Sequence, residues 1–154
     1  MTPPLYKESN KILLISHRGN IDGRSPKLEN TPSHLNNALN LGYDVELDVW
    51  DIDGKYYLGH DTPKVETTLE YLDNSKFWCH CKNIKALYSL VKKGIHCFFH
   101  QNDDVTLTSR GILWIYPKKQ LFEGSVCVMP EWGYTGDISA CAAICSDNIK
   151  DYKK

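Results

Sequence analysis

Short, nearly continuous apolar runs recur along this chain, separated by connections, and that repetition limits the folds open to it more than any other feature. Lys11 to Ser16 reads Lys-Ile-Leu-Leu-Ile-Ser, the composition of a strand buried on both faces. Comparable strands are expected at Tyr43 to Trp50, Phe77 to Lys82, His96 to Gln101, Ile112 to Tyr116, Ser125 to Met129 and Ala142 to Ser146. Between the first two, Thr31 offers a helix N-cap, Pro32 suits the first helical position, and Leu35, Ala38 and Leu39 supply an apolar face that Gly42 terminates. A second helix is predicted where Ile84, Leu87, Leu90 and Val91 share a face, ending at Gly94. Strand, connection, strand in repetition predicts an α/β fold with a parallel sheet closed into a TIM-type (β/α) barrel. Such a barrel ordinarily takes about 250 residues, and this chain has 154. The expectation is therefore a compacted barrel with reduced helices or an incomplete strand set. Thr106 to Arg110 and Lys118 to Glu123 are expected as single turns or short helices.

Nothing in the composition marks a linker, so residues 1–154 read as one domain. The 18 Lys plus Arg and 19 Asp plus Glu leave a formal charge of −1, and the basic residues are dispersed. A nucleic-acid partner is thereby disfavoured, since it calls for a massed basic stripe. No apolar stretch approaches the roughly 20 residues of a membrane span. Met1 to Asn10 is polar and lacks a signal-peptide core, which makes the cytoplasm the expected compartment. The six cysteines lie mostly in apolar runs and read as buried free thiols. Cys79-His80-Cys81 is not read as a zinc site, because neighbouring strand residues point to opposite faces.

The chemistry concentrates between Ser16 and Asp61, which hold His17-Arg18-Gly19, Glu29-Asn30-Thr31, Glu46-Leu47-Asp48 and His60-Asp61. Glu46 and Asp48 are two apart on one strand, so both side chains leave the same face and can grip one ion. Oxygen ligands of that kind favour Mg²⁺ or Ca²⁺. Asp51-Ile52-Asp53-Gly54 turns the chain into Lys55 to Leu58, a hairpin that carries His60 and Asp61 back to the same end. His17 and His60 can each move a proton near neutral pH.

The order and spacing of these four groups resemble the glycerophosphodiester phosphodiesterase family, whose motif reads His-Arg-Gly, Glu-Asn-Thr, Glu-x-Asp, His-Asp. The match covers roughly the first third of the chain and then thins to isolated positions. It implies a metal-dependent hydrolase that takes a small-molecule glycerophosphodiester, or a similar hydroxyl-bearing diester, to a phosphomonoester and an alcohol. On that reading His17 and His60 are the catalytic acid and base, in an order left open, and Arg18 clamps phosphate. Glu29 contacts the metal or tethers a catalytic side chain, and Asn30 organises its loop. The third strand departs from the family, which has a metal-binding Glu where this chain has His80, while the Lys two residues later is kept as Lys82. Either His80 joins the metal and shifts preference toward Mn²⁺ or Zn²⁺, or it stands behind the ligands and another acid completes the site; Glu131 is the nominee. Trp114 and Tyr116, two apart, are read either as a substrate-pocket wall or as core. His34 and His96 read as structural, and Asp147 resembles the catalytic end of the family's last strand. Two further readings stand beside hydrolysis: a phospholipase-type lyase that stops at the cyclic phosphate, and a non-catalytic phosphoester binder.

Overall fold

The computed structural model describes residues 11–154, so the expectation for Met1 to Asn10 lies outside the described residues. The elements run β1 (Leu13–His17), α1 (Pro32–Asn40), β2 (Asp44–Ile52), β3 (Lys55–Leu58), β4 (Val65–Thr67), α2 (Leu69–Leu72), β5 (Phe77–Cys81), α3 (Ile84–Lys92), β6 (Cys97–Phe99), β7 (Val105–Leu107), β8 (Leu113–Ile115), β9 (Val126–Val128) and β10 (Ala143–Ser146). Two 3₁₀ turns, Pro130–Trp132 and Ile149–Tyr152, flank β10. No helix among the described residues is long and apolar enough to cross a membrane.

The fold is α/β, and its strands join one mostly parallel sheet. Its main path is β4-β3-β2-β1-β10-β9-β8-β7, while β5 also pairs with β2 and carries β6. β2 can serve three neighbours because it is long: residues 44–46 pair with β1, residues 45–49 with β5, and residues 49–52 with β3. The sheet coils until β6 and β7 face one another. Thr106 Oγ1 donates to Phe99 O at 2.8 Å and Ser109 N to Cys97 O at 2.7 Å, but no ladder joins the two strands. The expected closed barrel is thus corrected to an open sheet. The physical reason lies in the connection from β6 to β8. Instead of a helix followed by another parallel strand, it contains β7, which runs antiparallel to β8 and occupies the place where closure would occur. Thr106 to Arg110, expected as a turn or short helix, supplies part of that strand.

Alternation sorts the side chains into two layers. Val45, Leu47 and Val49 of β2 and Phe77, Cys79 and Cys81 of β5 pack beneath α1 and α3. The opposite, concave face carries Ile15, Trp78, Phe98, Trp114, Val126, Val128, Ala143 and Cys145. Phe98 stacks on Trp114 with centroids 4.6 Å apart, so strands distant along the sheet meet across its interior. All six cysteines are free and buried, and Cys79 and Cys81 sit on the helix-covered face, opposite His80, as alternation requires.

α1 forms as expected: Thr31 caps it by accepting from His34 N, Pro32 opens it, and Leu35 and Ala38 are buried. α3 differs from expectation in its face. It buries Ala86 and Leu90, leaving Ile84 72% and Val91 51% exposed. What orients it is its N-cap. Asn83 Oδ1 accepts from Ala86 N at 3.0 Å and Asn83 Nδ2 donates to Asp51 O at 2.9 Å, while Ser89 Oγ donates to the buried Asp51 carboxylate at 2.6 Å. Replacing Asn83 with Ala is expected to lower the free energy of unfolding by about 1–2 kcal/mol. Urea denaturation followed by circular dichroism checks this; an unchanged midpoint would show that the clamp contributes nothing.

Candidate active site

Register brings the chemistry together at the C-terminal ends of the parallel strands. His17 of β1 pairs with Glu46 of β2, and Asp48 of β2 pairs with His80 of β5. Because Glu46, Asp48 and His80 lie on the concave face, their ligand atoms fall within 4.8 Å of one another, all three residues being buried. His80 Nδ1 is 3.1 Å from Asp48 Oδ1, and His17 Nε2 is 3.3 Å from Glu46 Oε2. Among the described residues Glu46 Oε1 makes no hydrogen bond, and the His80 Nδ1 contact to Asp48 Oδ1 is off the hydrogen-bond line. Buried carboxylate oxygens outside any well-formed hydrogen bond are costly unless a cation shares them. The donor set of two carboxylates and one imidazole suits a divalent ion. His80 Nε2 faces His100 O at 3.3 Å, a contact that turns Nδ1 toward the carboxylates.

Asn30 grips Asp48 from both sides, donating from Nδ2 to Oδ2 and accepting the Asp48 backbone N–H, each at 2.9 Å. A left-handed φ of 61° at Asn30 permits this double contact. Arg18 Nε is 3.1 Å from Asp48 Oδ2, but off the hydrogen-bond line. Burial alone would raise the Asp48 carboxyl; His80, Arg18 and Asn30 overcome it and hold the group well below the usual carboxylate range. Glu46 shifts the other way, pushed up by burial and by the neighbouring Asp48 charge. Burial opposes charge on His17, but Glu46 and the bond to Asp147 outweigh it and raise the imidazole above its ordinary value.

Two cavities meet at this point. One of about 210 Å³ is lined by Glu46, His80, Lys82, His100, Trp114 and Tyr116, among others. The other, of about 440 Å³, opens outward between Arg24, Glu29, Lys64, Trp132 and Asp147. His17, Arg18 and His60 line both and form the neck. His60 arrives on the β2–β3 hairpin as expected, its Nδ1 2.7 Å from Asp61 Oδ1, and burial lowers its pKa despite the Asp48 charge. Gly59 makes that approach possible, since a Cβ there would lie 2.0 Å from Thr62 O. Trp114 is 2% exposed against Phe98 and also lines the inner cavity.

Glu131 is a correction. Its carboxylate bonds Ser146 Oγ and Tyr152 OH, and Ser146 lies on the face of β10 opposite Cys145, away from Glu46 and Asp48. The left-handed turn at Met129, φ 49°, directs the chain after β9 to that side. Glu29 tethers rather than joining the metal group: it accepts from Asn20 Nδ2 at 2.8 Å and pairs with Arg18 at 3.7 Å. Sequence reasoning missed Asn20 altogether; it is fully buried and bonds three site side chains. The only local signal for it was its place next to His-Arg-Gly. No protein-family model matches this chain, nor does any curated protein or solved structure.

Proposed function

We propose that this chain is a metal-dependent phosphodiesterase acting on glycerophosphodiesters, or on similar diesters with a hydroxyl beside the ester, to give a phosphomonoester and an alcohol. The observation that carries this reading is the pair of buried oxygens outside any well-formed hydrogen bond, Glu46 Oε1 and Asp48 Oδ1, set with His80 Nδ1 below a neck lined by His17, His60 and Arg18. The resemblance of the four short motifs to the glycerophosphodiester phosphodiesterases supports it. A divalent ion held by Glu46, Asp48 and His80 would supply Lewis-acid polarisation of the phosphoryl oxygens.

The residues of the chain do the rest. Arg18 and Lys82 offer charge-assisted hydrogen bonds to a phosphate at the neck. One of the two histidines accepts the proton of the substrate hydroxyl as its oxygen bonds to phosphorus, and the other protonates the departing alcohol oxygen as its P–O bond breaks. The attack is intramolecular, which removes much of the entropic barrier. Water then opens the cyclic phosphate with the proton transfers reversed.

An imidazole among the ligands favours a transition ion over Mg²⁺ or Ca²⁺. A screen of Mg²⁺, Ca²⁺, Mn²⁺ and Zn²⁺ against simple glycerophosphodiesters, with products followed by ³¹P NMR, tests both points. Turnover is expected to be fastest with Mn²⁺, and His80→Glu to restore preference for Mg²⁺ or Ca²⁺. Accumulation of cyclic phosphate would assign a lyase instead. Diester binding without turnover under any metal would overturn the catalytic reading.

A further inference from the structure

His17 has its Nδ1 2.7 Å from Asp147 Oδ1, at the end of the last strand, 130 positions away in sequence. That carboxylate is itself anchored. Asn20 Nδ2 donates to the same Oδ1 at 2.8 Å and to Glu29 Oε1 at 2.8 Å, while Asn20 Oδ1 lies 2.9 Å from His34 Nε2. Two carboxylates on one side of the amide require its NH₂ there, so the Asn20 oxygen must face His34 and accept from its N–H. Every direction in the chain is then determined: His34 donates to Asn20, Asn20 donates to Asp147, and Asp147 accepts from His17 Nδ1–H. Asn20 is held in turn by Ser16 Oγ, which donates to its carbonyl at 2.8 Å. Gly19, at φ +90°, leaves room for the His34 ring, which a Cβ would meet at 2.7 Å.

We propose that Asp147, aimed by Asn20 and His34, is a positioning residue that fixes the ring orientation and Nδ1–H tautomer of His17, so that Nε2 is the atom presented to the neck and to Glu46. His34, which reads as structural from sequence, becomes the outer end of this chain. The kinetic consequence rests on the phosphodiesterase reading; the hydrogen-bonding consequence does not.

The test uses the full ¹⁵N-labelled chain. A downfield, hydrogen-bonded His17 Nδ1–H resonance is expected in the metal-free protein and is expected to vanish in Asp147→Ala. In Asp147→Asn, which keeps the size of the side chain, kcat should fall about 10²- to 10⁴-fold, the range seen where an aspartate orients a catalytic histidine. KM and Mn²⁺ affinity should stay within about threefold, because the Asp147 carboxylate is engaged by His17 and Asn20 and lies outside the group of metal-binding atoms. His34→Gln, which keeps a donor for Asn20, should retain kcat within about threefold, whereas His34→Leu should lose about tenfold. Persistence of the resonance in Asp147→Ala, or wild-type kcat in a folded Asp147→Asn, overturns the proposal. If the wild-type chain cleaves no diester, the function proposed above fails, and the resonance alone decides the role of Asp147.

Discussion

Asp48→Ala is expected to abolish metal-dependent diester cleavage, a loss of at least about 10³-fold, with the fold intact. Asp48 is where the site's contacts converge: His80 at 3.1 Å, Arg18 at 3.1 Å and the two Asn30 bonds at 2.9 Å. Truncation removes one ligand oxygen and leaves Arg18 without its nearest carboxylate, so metal affinity and phosphate orientation are lost together. The fold should survive because the Asp48 backbone N–H still donates to Asn30 Oδ1, and Leu47 and Val49 still fill the helix-covered layer. Glu46→Ala should behave alike, removing the second ligand carboxylate. Steady-state rates over a metal titration, beside far-ultraviolet circular dichroism, make the comparison. Near-normal Asp48→Ala activity at low metal concentration would remove this group from the mechanism.

The histidines provide the second large effect. His17→Ala and His60→Ala should each reduce turnover by at least about 10²-fold, as expected for loss of a general acid or base. The double variant should be little slower than the slower single one, because the two proton transfers serve one displacement. Their surroundings differ: His17 lies between Glu46 and Asp147 with its pKa raised, whereas burial lowers that of the more exposed His60. The two single variants should therefore change the pH profile of kcat on different limbs. A single variant with near-full activity would exclude that histidine.

The parts of this site that were legible in the sequence depend on short-range geometry. Glu46 and Asp48 had to share a face because side chains alternate along a strand, and Cys79 and Cys81 had to oppose His80 for the same reason. Thr31-Pro32 marked a helix start because cap and first-turn chemistry is local. The choice of face on α3 was only half legible: of the expected stripe Ile84, Leu87, Leu90 and Val91, Leu90 and Leu87 pack on the core with Ala86, while Ile84 and Val91 are exposed. There the tie from Asn83 and Ser89 to Asp51 on β2 decides. The place of Glu131, bonded to Ser146 and Tyr152 and not grouped with Glu46, Asp48 and His80, was not legible because strand alternation stops at the left-handed Met129 and says nothing about the turn beyond it.

By itself, then, the sequence determined a strand-rich α/β chain with an acidic pair on one strand face, histidines at two strand ends and buried thiols, all consequences of periodicity within a few residues. Only the tertiary structure decided that β7 turns back on β8 and leaves the sheet open, that the β2–β5 register sets Asp48 beside His80, and that Asp147 meets His17 directly while Asn20 anchors it. These are pairings between distant segments, selected by how the whole sheet coils and packs, and no local pattern encodes them.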